Sequence, residues 1–158
     1  GRILAPSRCV QGGNAMLIAH VLRDKGAVVY TVRAEATLEE AARTLNEKKV
    51  GALVVIAENG AISGVLSERD IVREIARGGA ACLSQTVGAV MTRDVCTCDP
   101  TETVDDGLGR MTDRRVRHLP VLQGDQLIGM ISIGDLVKHR IAAVEAEAAA
   151  MQAYIATH

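Results

Sequence analysis

Apolar positions along this chain switch repeatedly between the three-and-four spacing of a helix face and the short unbroken runs of buried strands. Leu17, Ile18, Val21 and Leu22 share one face between Met16 and Lys25, and Gly26 ends that helix. Ala27 to Val32, rich in β-branched residues, predicts a strand. Thr37 opens a second helix; Glu40, three residues on, completes a capping box, and Leu38, Ala41, Ala42 and Leu45 form the apolar face. Val50 to Ile56 is too short an apolar run for a buried helix and reads as a strand. Glu58-Asn59-Gly60 is turn chemistry, and Ile62 to Leu66 returns as the hairpin partner. Ser67 caps a helix from Glu68 to Arg77, which Gly78-Gly79 stops.

The same order then recurs. Val95 to Cys98 predicts a strand, Asp99-Pro100 a turn, and Thr103 to Asp113 a helix weakened by Gly107 and Gly109. Val116 to Leu122 and Gln126 to Ile131 predict hairpin strands, and Ser132 caps a final helix. The repeat is visible residue by residue: Gly64, Ser67 and Asp70 fall on Gly129, Ser132 and Asp135 at a shift of 65, and Val50–Val55 falls on Val116–Val121 at 66. The one-residue difference sits in the hairpin turn, where length changes are cheapest. Two copies of one unit, packed face to face around a shared cleft, are therefore expected. Unit one spans 16–79 with the N-terminal helix, and unit two spans 80–140, its connection including the apolar stretch Val87 to Met91. Residues 141–158 continue the last helix; Ile141, Val144, Ala148, Met151 and Ile155 make a stripe suited to packing or a dimer surface. Residues 1–15, rich in Gly, Ser, Pro and Asn, read as a disordered leader, with Met16 a candidate natural start.

Composition narrows the function classes. Hydrophobic residues make up 48%, enough for a core, yet Phe and Trp are absent and only Tyr30 and Tyr154 are aromatic. With a net charge of −1 as well, neither base stacking nor phosphate-backbone binding is favoured, so no nucleic-acid partner is expected. No apolar run reaches the roughly 20 residues of a membrane span. Cys9, Cys82, Cys96 and Cys98 lack metal-ligand spacing and read as reduced, small hydrophobes in a cytoplasmic protein.

The candidate chemistry lies where each unit passes from strand to helix, in Gly-apolar-apolar-Ser-x-x-Asp. Ser at the N-cap with an acid three residues on is ordinary helix-start grammar, so one copy means little. Two copies at matching places suggest a ligand carrying both sugar and phosphate. Helix N-termini favour phosphate. An ionised Asp repels phosphate but accepts hydrogen bonds from ribose hydroxyls, and a ribonucleotide meets both demands. Arg69, at an unfavourable end of the helix dipole, calls for a phosphate or an acidic partner. Lys48-Lys49 and Arg114-Arg115 match one another near the cleft mouth, as solvated helix ends or ligand contacts. Tyr30 suits core packing better than stacking on a base.

The order of elements resembles the cystathionine-β-synthase (CBS) domain family, and the chain is similar to bacterial proteins made of two CBS domains in tandem. The resemblance covers about residues 16–140 and rests on Val50–Val55, Gly64–Asp70, Val87–Thr92, Arg117–Val121 and Gly129–Asp135 taken together. It implies an α/β (α+β) fold: two βαββα repeats packed about a pseudo-twofold axis, with flanking N- and C-terminal helices. It also implies two clefts for adenosine-containing ligands such as AMP, ADP, ATP, NAD or S-adenosylmethionine. Carried onto this chain, Asp70 and Asp135 hold ribose, and Ser67 and Ser132, where the family often has Thr, sit near phosphate. Arg117 and His118, ahead of the strand that contains Pro120, supply the phosphate contact. Unit one has Gly51 and Ala52 there, so the clefts are expected to differ, with the Arg117–His118 position the better one for phosphate. The function expected is a regulatory adenosine-ligand-binding module that signals through an effector protein or through self-association as a homodimer. The alternative is a scaffold with degenerate clefts. An enzyme has the least support, since no nucleophile stands beside a base and His20, His118, His139 and His158 are scattered.

Overall fold

A computed structural model describes residues 15–157; the expectations for Cys9, His158 and the leader up to residue 14 lie outside the described residues. The elements run α1 (Ile18–Lys25), β1 (Thr31–Arg33), α2 (Leu38–Lys48), β2 (Ala52–Ile56), β3 (Ile62–Ser67), α3 (Glu68–Gly78), a 3-10 segment (Gly79–Ser84), α4 (Val87–Val90), α5 (Val104–Arg114), β4 (His118–Gln123), β5 (Gln126–Ser132) and α6 (Ile133–Thr157). The repeat is written into the caps. Thr37 and Thr103 both form capping boxes, with Glu40 and Asp106, and α2 and α5 both end on a left-handed residue, Lys49 and Arg115.

The first sheet runs β1-β2-β3, with β1 parallel and β3 antiparallel to β2; the second is the antiparallel pair β4-β5. Here the two units part. The strand predicted over Ala27–Val32 is reduced to Thr31–Arg33, and the one predicted over Val95–Cys98 does not form; only Cys98 bridges to Val121. Pro120 explains the loss. Its counterpart Val54 donates its N–H to the Tyr30 carbonyl at 3.1 Å, whereas proline has no N–H to give Cys96. Beyond Cys98, Asp99 closes a turn by accepting from the backbone and hydroxyl of Thr101.

The helices that precede each unit change sides. α1 comes before unit one but buries Ile18, Val21 and Leu22 in the core of unit two, with Val104, Met111, Leu119, Ile131 and Leu136. α4 comes before unit two but buries Val87 and Val90 in the core of unit one, among Leu38, Leu45, Leu53, Val55 and Leu66. Matching hydrogen bonds tie both crossings. Val104 N–H donates to Met16 O (2.9 Å), as Leu38 N–H does to Gln85 O (2.9 Å); Ile18 donates to Glu102 O, as Val87 does to Ala36 O. The helix assigned by sequence order to residues 16–79 thus packs with residues 104–136, because its apolar face fits that core. A small third cluster, Ala52, Val54 and Met130, joins the two sheets. It uses the face of β2 opposite Leu53 and Val55, so β2 is buried on both sides.

α6 continues unbroken for 25 residues, and Ile141, Val144, Met151 and Ile155 on it are exposed. Among the described residues, no helix is long and apolar enough to cross a membrane.

Candidate functional site

Two clefts lie between the units, one at each Ser-x-x-Asp. At the first, Asp70 is the N3 residue of α3 and is buried at 6% exposure. Its Oδ2 accepts from Ser67 N–H (2.9 Å) and from the Ser67 hydroxyl (3.1 Å), and its own N–H donates to Ser67 Oγ (3.3 Å). Oδ1 faces the Arg73 guanidinium at 3.0 Å. At the second, Asp135 Oδ2 accepts from Ser132 N–H (2.8 Å) and from Lys25 Nζ (2.5 Å). Burial works to raise the Asp135 pKa, but the Lys25 ammonium and the Ser132 N–H outweigh it and hold the carboxyl below its ordinary range. Each helix start is anchored to the entry of its own hairpin: Glu68 N–H donates to Gly51 O (2.9 Å) and Ile133 N–H to Arg117 O (2.8 Å).

The Asp70 cleft has a volume of about 690 Å³ and takes residues from both units. Ser67, Arg69, Asp70, Arg117 and His118, all named from sequence, line it together. So do Arg73, Arg114 and Arg115, giving five arginines against the carboxylates of Glu68, Asp70 and Asp94, while Val65, Val95 and Val116 form an apolar wall. The Asp135 cleft, about 510 Å³, is lined by Ser132, Asp135, His118, Lys25 and Lys49, with Val28, Val29, Tyr30 and Met130 apolar. Pro120 lines neither; it is buried in β4, accepting from Cys98 N–H at 3.0 Å, and its part is to shorten the ladder. Tyr30 packs against the first core, with Lys48 5.4 Å above its ring. Arg73 was missed, although its place three residues after Asp70 was the available signal.

His118 sits between the clefts and explains the broken symmetry of the repeat. A Cβ on Gly51 would lie 2.9 Å from His118 Nε2, so the imidazole rests where unit one has no side chain. Two bulky residues cannot both occupy the axis. Burial, Lys25 and Arg117 lower the His118 pKa against the opposing pull of Asp135, leaving a neutral ring at neutral pH. Cationic charge in the Asp70 cleft therefore comes from arginine. Because the folded pKa lies below its ordinary value of 6.5, the unfolded chain binds more protons there as pH falls from 6.5 through the lowered value. Stability is full above that window and falls within it. His118→Gln is expected to flatten this acid limb, read as a smaller difference in melting temperature between about pH 7.5 and about pH 5.

Cys98 is buried and its thiol is pushed up to about 12, by burial first and then by Glu102, so it stays protonated. Among the described residues no group of His, Cys, Asp and Glu is placed to hold a metal.

Two βαββα-derived repeats, exchanged leading helices and a Ser-x-x-Asp helix start at each inter-repeat cleft define a paired ligand-binding repeat. The family model for the CBS domain matches residues 26–77 and 87–142, and the chain belongs to this family as a tandem CBS pair. It is similar to the mitochondrial CBS domain-containing protein CBSX3 of Arabidopsis thaliana, 33% identical over 95% of this chain and 77% of the relative. A crystal structure of a CBS-domain containing protein from Agrobacterium tumefaciens is 42% identical, covers 79% of this chain and 99% of that one, and superposes with a TM-score of 0.77. The CBS domain pair of protein MJ0100, crystallised with 5'-methylthioadenosine and S-adenosyl-L-methionine, shares the fold at 21% identity and a TM-score of 0.73, covering 82% of this chain and 99% of that pair.

Proposed function

We propose that this CBS pair is a regulatory module for an adenosine-containing ligand, AMP, ADP, ATP or NAD, with the Asp70 cleft as its principal site. One observation carries the reading: a buried, ionisable Asp70 at a helix start faces an inter-repeat cleft rimmed by five arginines. The carboxylate accepts the ribose hydroxyls, Val65, Val95 and Val116 bracket the base, and Arg69, Arg114, Arg115 and Arg117 receive the phosphates. Ser67 stays near the phosphate as a cap. A volume of about 690 Å³ lies within the range of small-molecule sites, roughly 300–1,000 Å³. The two ligands crystallised with the MJ0100 pair, 5'-methylthioadenosine and S-adenosyl-L-methionine, support the adenosine class. Because the cleft takes α3 from one unit and the strand entry of the other, a ligand that binds one relative arrangement of the units better shifts the pair toward it. No step of covalent chemistry is part of this reading.

Calorimetric titration with AMP, ATP and NAD tests it, the salt dependence of affinity reporting the phosphate contacts. Saturable binding that weakens with salt is expected; the absence of heat and of thermal stabilisation with every one of them contradicts the reading.

The exposed stripe of α6 favours self-association as the output, a homodimer through Ile141, Val144, Met151 and Ile155, with an effector protein as the alternative reader. Deleting residues 142–158 is expected to reduce the solution mass to that of the monomer and leave AMP affinity unchanged. A reducing compartment such as the cytoplasm suits the free thiols of Cys82, Cys96 and Cys98.

A further inference from the structure

The two clefts differ by one turn of helix. α4 ends at Val90, and the following residues extend along β3, where Thr92 and Val65 exchange hydrogen bonds of 3.0 and 2.9 Å. The matching point in α1 is Val21, judged from the paired crossings of Ile18 with Val87 and Ala19 with Gly88. α1 does not stop there but runs on through Leu22 to Lys25. That added turn carries two residues toward α6. Asp24 faces His139 at 3.8 Å, and Lys25 reaches Asp135 at 2.5 Å. In the first cleft the corresponding segment ends in Asp94, whose partner is Arg114 on the rim, at 3.5 Å. Among the described residues, no hydrogen bond or ion pair joins the crossing segment to Asp70; its cation, Arg73, comes from its own helix and is 45% exposed.

We propose that Lys25 is a latch on the second cleft: its ammonium occupies the ribose-accepting carboxylate of Asp135 and keeps that cleft closed to adenosine ligands. The inference rests on the ligand reading given above and adds its stoichiometry. A ribose that takes Oδ2 of Asp135 must displace a charge-assisted hydrogen bond from a residue 110 positions away in sequence, made at the partly exposed junction of α1 and α6. The same contact links the seating of α1 on unit two to occupancy of the cleft, so any ligand that does enter releases the last turn of α1. Lys25 is a specificity-determining residue: it sets which of two similar posts is available.

Calorimetric titration with AMP on the full chain and on Lys25→Ala is the test. One site is expected in the parent chain. In Lys25→Ala a second site is expected, at least about tenfold tighter than any second binding in the parent, since a charge-assisted bond no longer competes. Adding Asp135→Ala to Lys25→Ala is expected to abolish that second site while the first is kept. Lys25→Gln, which retains length and polarity, serves in the same way if Lys25→Ala melts early. Two equal sites in the parent chain, or a single site in both Lys25 variants with the first site intact, overturn the latch but leave the ligand reading standing. No AMP binding by any of these proteins overturns the ligand reading and the latch with it.

Discussion

Asp70→Asn is expected to weaken AMP binding by about 30- to 100-fold while leaving the fold nearly as stable as before. Hydrogen bonds to a charged acceptor contribute about 1.5–3 kcal/mol each, and tenfold in affinity corresponds to about 1.4 kcal/mol. Asparagine keeps an oxygen for the Ser67 N–H, which the carboxylate now engages at 2.9 Å, so the cap survives. It loses the charge that favours two ribose donors, and it removes the nearer of the two carboxylates facing Arg73. Asp70→Ala is expected to lose both functions, adding a stability cost of about 1 kcal/mol for the cap. Calorimetry and thermal melts on the two variants separate these effects. Equal affinity in the parent and Asp70→Asn would place the ribose elsewhere. Asp135→Asn provides the contrast, since the Lys25 contact already engages that carboxylate and the first site is expected to be unchanged.

The second large effect concerns folding. Gly64 and Gly129 occupy the same place in the two repeats, and both are approached by the crossing segments. A Cβ on Gly64 would lie 2.6 Å from the Thr92 carbonyl oxygen and 2.8 Å from Met91 Sδ. On Gly129 it would lie 2.6 Å from Leu22 Cδ2, the end of a flexible side chain. Backbone held by two hydrogen bonds to Val65 cannot step aside, but a leucine methyl can rotate. Gly64→Ala is therefore expected to cost about 2–3 kcal/mol, lowering the melting temperature by roughly 5–10 °C, and Gly129→Ala about 1 kcal/mol. Chemical denaturation at fixed pH measures both. An equal cost at the two positions would mean that the crossings are not held as described.

These glycines show what the sequence made legible. The spacing Gly-x-x-Ser-x-x-Asp was plain in both copies, and both capping boxes at Ser67 and Ser132 formed. The hairpins and the helices from Thr37 and Thr103 also followed from local patterning and turn chemistry. The reason for the glycine was not local, since it lies in segments arriving from elsewhere in the chain. The exchange of α1 and α4 was hidden for the same reason: an apolar face says that a helix is buried, not in which core. In the sequence, Gly51-Ala52 against Arg117-His118 reads as a difference in phosphate chemistry. The structure adds a packing role, since His118 lies over Gly51, and arginines of both units line the Asp70 cleft. Lys25 resembled any basic residue at a helix C-terminus. Only the extra turn brings it to Asp135. The missing strand at Val95–Cys98 was recoverable in principle, because a proline aligned with Val54 removes the donor that the first sheet uses.

The most direct measurement is a crystal structure of the chain soaked with a mixture of AMP, ATP and NAD. The expected result is a nucleotide in the Asp70 cleft, its ribose hydroxyls within hydrogen-bond distance of the Asp70 carboxylate and its phosphates among Arg69, Arg114, Arg115 and Arg117. A nucleotide bound away from Asp70, or an Asp70 cleft that stays empty at saturating ligand, would contradict the account.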